Sequence, residues 1–171
     1  MIYFTTFILT LLFAHIARAA PGCGDDAYPE EVYDPTYDDG QDAFPGLSAD
    51  VKVTWDATYD NPHGKTIGVA CSDGPYGLAA KYPYFKNFPT FPYLGGAFDT
   101  KWGSEHCGRC WKLVHKKTGE HIYFTVIDAS GPGIVNIAKN AFIKLNGGSV
   151  GAGTLEAEAY PVSPHPCQYF Q

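Results

Sequence analysis

The chain has 171 residues, 45% of them hydrophobic and 18% charged, with a formal net charge of −6. That length is enough for one domain with a real core. The acidic balance argues against nucleic-acid binding.

Residues 4 to 17 are almost wholly apolar and run into Ala17-Arg18-Ala19, a small-x-small cleavage pattern. This predicts a secretory signal peptide over residues 1–19. The run is shorter than the roughly 20 residues of a bilayer span, so no membrane anchor is expected. Residues 20–50 then hold nine of the chain's 18 acids and no Lys or Arg, with Pro29, Pro35 and Pro45 interspersed. Such a segment buries too little apolar surface to offset its ordering entropy, and it is read as a disordered acidic tail. With Arg18 in the leading segment, residues 51–171 carry the other 11 basic residues against nine acids, a net of +2. The domain itself is therefore nearly neutral, and nucleic acid is not an expected partner.

From residue 51 the pattern has period two. Val51, Val53, Trp55, Ala57 and Tyr59 alternate with polar residues, which predicts a strand with one buried face, closed by Asp60-Asn61-Pro62. A short strand is predicted over 67–71 and a turn over 75–81. Residues 82–96 interleave aromatic side chains, Tyr93 among them, with Pro83, Pro89 and Pro92. The prolines exclude this stretch from any central strand, and its aromatic rings can either fix the loop to the core or stack on sugar.

Residues 110–115 and 121–127 flank Lys116-Lys117-Thr118-Gly119-Glu120 and are read as a hairpin. A helix is predicted over 136–145, stopped by Asn146-Gly147-Gly148, and a last strand over 154–160 turns Leu155, Ala157 and Ala159 inward. Short strands, few helices and many turns favour a mainly-β fold, with a closed β-barrel as the leading architecture.

Cys107-Gly108-Arg109-Cys110 is compatible with a redox dithiol, half a zinc site, or two disulfide anchors. Export selects the disulfides, because thiols pair in an oxidising compartment. Zinc lacks a second ligand pair beside His106, and the redox motif lacks its βαβ unit. Bridges from Cys107 and Cys110 to Cys71 and Cys167 close long loops and stabilise more than a Cys107–Cys110 ring would. Cys23 is left over and is expected to be capped or to link a homodimer.

Asp128 ends an apolar strand before a glycine-rich loop, where a carboxylate emerges at a barrel rim and can accept from sugar hydroxyls or amides. Asn136 offers a donor and an acceptor nearby. Asp73 sits in Cys71-Ser72-Asp73-Gly74, which reads first as a turn. Glycoside hydrolysis ordinarily needs two carboxyl groups, and Asp73 is the one further candidate. His63, His106, His115, His121 and His165 show no ligand spacing, so neither metal nor cofactor is expected.

Several spaced motifs together resemble one family: Cys71-Ser72-Asp73-Gly74 with Gly77-Leu78, Phe91-Pro92-Tyr93-Leu94-Gly95-Gly96, Cys107-Gly108-Arg109-Cys110-Trp111-Lys112-Leu113, Ile122-Tyr123 leading to Ile127-Asp128, and Asn136-Ile137-Ala138. Over residues 51–167 the chain is similar to the cerato-platanins, small secreted fungal proteins. The resemblance implies a six-stranded double-psi β-barrel with one or two short helices, like the first domain of expansins, and bridges Cys71–Cys107 and Cys110–Cys167. It also implies non-hydrolytic binding of chitin or N-acetylglucosamine oligomers, polysaccharide loosening, a place in the fungal wall, and perception by a plant surface receptor as a defence elicitor. The candidate carbohydrate-binding residues are Asp128, Asn136, Asp73, Tyr93 and Tyr59, with no catalytic residue. A glycan-cleaving enzyme using Asp128 and a ligand-free surface-active wall protein are the alternatives. Two features depart from the family pattern: the acidic segment with Cys23, and Ala129-Ser130-Gly131-Pro132-Gly133 after Asp128.

Overall fold

A computed structural model describes residues 48–169. The predicted signal peptide, most of the acidic segment and Cys23 lie outside the described residues. Six strands, β1 (Ala49–Asp56), β2 (Leu94–Ala97), β3 (Cys110–His115), β4 (His121–Ala129), β5 (Ile134–Ala138) and β6 (Leu155–Val162), close into a barrel in the order β1-β5-β2-β4-β3-β6. β1 runs parallel to β5 and β2 parallel to β4, while every other neighbouring pair is antiparallel. Two short helices, α1 (Lys139–Leu145) and α2 (His165–Tyr169), complete the double-psi barrel.

The barrel closes because each strand turns apolar residues to a common interior. Val51, Val53, Leu113, Phe124, Val126, Val135, Ile137, Ala157 and Ala159 are all at most 1% exposed. The small Ala157 and Ala159 on β6 share this core with larger side chains, among them Phe124 and Phe142. Both disulfides form, Cys71–Cys107 and Cys110–Cys167, as the family resemblance implies.

Several sequence expectations need correction. β1 starts at Ala49, two residues inside the segment read as acidic tail, and it stops at Asp56. Ala57–Asp60 is a 3-10 turn instead of more strand, because the Asp56 carboxylate accepts from the Thr58 N–H at 2.8 Å and folds the chain back. The alternation therefore fails at Ala57, which is exposed, and Tyr59 is buried by the turn. No strand forms over 67–71. Thr66–Gly68 is a 3-10 turn with Ile67 61% exposed, anchored where the Thr66 hydroxyl donates to the Tyr82 carbonyl at 2.5 Å.

The aromatic stretch does supply a central strand at its end. Its last proline is Pro92, and β2 begins at Leu94 between β4 and β5. Residues 136–138 belong to β5 and not to the predicted helix, which is confined to α1. Ile134 and Ile137 stand at helical spacing, but β5 pairs on both sides, with β1 and β2, and Val135 and Ile137 share its buried face. Pairing with two strands outweighs a local periodicity of this kind.

Candidate functional site

The sheet places Thr54, Asn136, Gly96 and Asp128 in one row across β1, β5, β2 and β4. Paired residues project to the same face, so this row assembles a polar patch from four segments distant in sequence. Gly96 stands between Asn136 and Asp128 with no side chain, and the backbones of those two residues are two strand spacings apart, about 10 Å. The glycine is required by its backbone neighbours: a Cβ there would lie 2.6 Å from the Ala129 carbonyl oxygen. Gly95 is equally constrained, at 2.5 Å from the Asn136 carbonyl oxygen, and the register of β2 against β4 shifts between these two glycines.

Asp128, next to last in β4, is held by three donors. Its Oδ1 accepts from the Ala70 N–H at 2.9 Å and its own neighbour Ala129 N–H at 2.8 Å, and its Oδ2 accepts from the Tyr59 hydroxyl at 2.9 Å. A carboxylate offers about four acceptor positions, so one remains for a ligand. Asn136 is fixed from the other side, its Oδ1 accepting from the Thr54 hydroxyl at 2.9 Å. Tyr59 is 6% exposed, and its phenol is shifted well above the usual tyrosine range, first by burial and then by the Asp128 charge, with a hydrogen bond to Asn136 opposing. It therefore stays a neutral phenol whose single O–H is donated to Asp128.

The structure thus brings together Tyr59, Asp128 and Asn136 from the sequence-derived set. Asp73 has a different environment. Its Oδ1 accepts from the Trp102 indole N–H at 2.6 Å and from the Ser72 hydroxyl at 3.0 Å, and these bonds, Trp102 first, hold its carboxyl below the usual range. Tyr93 is half-buried against the core and contributes its backbone, its carbonyl accepting from the Thr125 N–H at 3.1 Å. Neither has a hydrogen bond to the Tyr59–Asp128–Asn136 group among the described residues.

Sequence reasoning missed Thr54, Gly96, Asp60 and Trp102. Asp60 accepts from the Lys139 and Asn140 N–H groups at 2.9 and 3.2 Å and so ties the Tyr59 turn to the first turn of α1. Thr54 sits on the outward face of a strand already recognised, where its pairing with Asn136 had no local sign. Among the described residues no three His, Cys, Asp or Glu side chains are grouped to hold a metal ion, and no helix is long and apolar enough to cross a membrane.

The cerato-platanin family model matches residues 51–169, from the third residue of β1 through α2. The chain belongs to the cerato-platanin family. The family is one of secreted fungal proteins. Allergen Asp f 15 of Aspergillus fumigatus is 37% identical over 167 residues, 96% of each chain. Cerato-platanin of Ceratocystis fimbriata f. sp. platani is 43% identical over 93 residues, 54% of this chain and 67% of the relative. The crystal structure of cerato-platanin 2 from M. perniciosa superposes with a TM-score of 0.64 at 35% identity, covering 70% of this chain and 98% of that one. The solution structure of the fungal elicitor cerato-platanin gives 0.63 at 35% identity, over 69% and 97%.

Proposed function

We propose that this cerato-platanin is a secreted, non-catalytic carbohydrate-binding protein that takes chitin or N-acetylglucosamine oligomers on the Tyr59–Asp128–Asn136 face, loosens polysaccharide in the fungal wall, and acts as a plant-defence elicitor through a plant surface receptor. The observation that carries this reading is the fixed state of Asp128. Three donors hold it in place and leave one acceptor position open, while Asn136 lies on the far side of Gly96 in the same row. A sugar hydroxyl or acetamido N–H fits that position. The elicitor part rests on the solved relative, which is described as a fungal elicitor.

Binding is favoured over hydrolysis because no second carboxyl joins the Asp128 group by a hydrogen bond among the described residues: Asp56 accepts from the Thr58 N–H, Asp60 caps the start of α1, and Asp73 is paired with Trp102 and Ser72. A glycosidase needs a second carboxyl about 5–9.5 Å from the first and available to act as acid, base or nucleophile. Calorimetric titration of wild type and Asp128→Asn with N-acetylglucosamine oligomers, followed by chromatography of the oligomers after long incubation, tests both parts. The expected result is affinity lowered about tenfold in the variant, with the oligomers intact. Unchanged affinity overturns the site. Shortened oligomers, lost with the substitution, overturn the non-catalytic reading.

A further inference from the structure

Trp102 is 65% exposed, the most exposed of the large hydrophobic side chains among the described residues. A lone exposed tryptophan is unremarkable in itself, but this one is fixed. Its indole N–H donates to Asp73 Oδ1 at 2.6 Å, and its ring edge lies beside Gly74, where an added Cβ would stand 3.8 Å from it. Both chain segments turn sharply at this point, Gly74 at φ +84° and Gly103 at φ +69°, in the left-handed region that favours glycine. The Cys71–Cys107 disulfide ties the segment carrying Asp73 to the one carrying Trp102. Little conformational freedom is left to lose when a ligand settles on the ring.

We propose that Trp102, positioned by Asp73, is a sugar-stacking platform that extends the Asp128 site toward longer oligomers. The chemistry is that of a pyranose ring, which shows an apolar C–H face to an aromatic surface and hydroxyls at its edge. Both side-chain bonds to Asp73 fall on Oδ1, leaving lone pairs on Oδ2 to accept from such a hydroxyl. Continuity with the Asp128 site comes from the backbone. Ala70, whose N–H holds Asp128, is three residues before Asp73, and three Cα steps reach at most about 11 Å. A sugar chain of several units seated at Asp128 and running in this direction meets Trp102, whereas a short one does not. The inference rests on the reading that Asp128 holds a sugar, and it adds the residue that distinguishes long chains from short.

Titration of Trp102→Ala, Trp102→Phe and Asp128→Asn with the dimer and the hexamer of N-acetylglucosamine tests it. Trp102→Ala is expected to weaken hexamer binding by roughly three- to tenfold and to leave the dimer unchanged, with Trp102→Phe between. Because the side chain is exposed, melting temperatures are expected to match wild type, which keeps the comparison free of folding defects. If Asp128→Asn weakens both oligomers and Trp102→Ala weakens neither, the platform is wrong and the Asp128 reading stands. If Trp102→Ala weakens the hexamer and Asp128→Asn weakens neither, stacking is upheld and the Asp128 reading falls. Equal loss for dimer and hexamer in Trp102→Ala overturns the idea of an extension.

Discussion

Residues 57–109 and residues 110–162 are of similar length, yet they are held together by different means. The second stretch supplies β3, β4, β5 and β6 and is fixed mainly by ladders of backbone hydrogen bonds. The first supplies only β2, four residues long, and is otherwise turns. It is held by individual devices: Phe85 and Phe88 buried in the core, the hydroxyl pair Thr90–Thr125 at 2.7 Å, the bond from Cys71 N–H to the Ile127 carbonyl at 3.1 Å, and the Cys71–Cys107 disulfide. Ladder structure distributes its stability over many equivalent bonds, whereas the turn-rich stretch concentrates it in a few side chains. The proposed site draws on both, since Asp128 and Asn136 come from the ladders while Tyr59, Ala70 and Trp102 come from the turns.

The largest expected effects come from the two disulfides, and they separate the two regions. In the chain-entropy model a bridge over 36 or 57 residues stabilises by about 4 kcal/mol in either case. Replacing Cys110 and Cys167 by Ser is expected to lower stability by that amount and to leave oligomer affinity of the folded protein unchanged, because that bridge joins β3 to α2. Replacing Cys71 and Cys107 is expected to cost as much and also to weaken binding, because Ala70 and Asp73 lose their anchor. Denaturant melts and titrations on each double variant check this. Equal effects on affinity would dissolve the distinction between the regions.

Gly96→Ala probes the point where they meet. The added Cβ collides with the backbone of Ala129, which cannot swing aside as a side chain would, and a cost of about 3 kcal/mol is expected in thermal or denaturant unfolding. A neutral result would show that β2 shifts freely within the barrel.

The same contrast explains what was legible in the sequence. The alternating part of β1 over Val51–Val53, β6, and the β3–β4 hairpin were readable because alternation or a turn signal marks them, although β1 begins two residues earlier than its alternation. β2 and β5 were not. All four residues of β2 are buried, so it has no alternation, and each of the two is paired on both sides with strands far away in sequence. Asp128 and Asn136 were identifiable as polar residues beside apolar runs, and Tyr59 was among the candidates, although its backbone was read as the end of a strand and not as a turn. Its hydroxyl reaches Asp128 across 69 positions, and nothing local records such a contact. Asp73 and Tyr93 stand in motifs as distinctive as Asp128's, and the fold nonetheless gives them other partners. Motif membership located the family; topology decided which side chains meet.

Tyr59→Phe tests that long-range contact. It removes one hydrogen bond to a charged group and leaves Asp128 its two backbone donors, so a loss of about 2 kcal/mol is expected at neutral pH. The pH dependence gives the sharper signature. The folded-state pKa of Tyr59 lies above its unfolded value of about 10, so its contribution is complete below pH 10 and declines as pH rises beyond that. Wild-type stability is therefore expected to fall on the alkaline side, with a shallower fall in Tyr59→Phe. Tyr160, pushed up to about 12 first by its hydrogen bond to Glu158, provides the comparison. It is only partly buried, so Tyr160→Phe is expected to flatten the profile less.

The smallest of these effects links a turn to a ladder. Ala138, before α1, has no side chain able to cap the helix, and the N–H groups of Lys139 and Asn140 are taken instead by Asp60, from the turn that carries Tyr59. This is capping supplied from about 80 positions away, and it does two things at once: it satisfies the helix terminus and fixes the turn that carries Tyr59. Asp60→Ala is expected to lower stability by about 1 kcal/mol, the usual cost of losing a cap. Asp60→Asn keeps one acceptor and loses the charge, so a smaller loss is expected. If the cap also orients Tyr59, oligomer affinity should fall in Asp60→Ala although residue 60 has no assigned contact with sugar. Titration beside the melting curve separates the two roles, and an affinity equal to wild type would confine Asp60 to the helix.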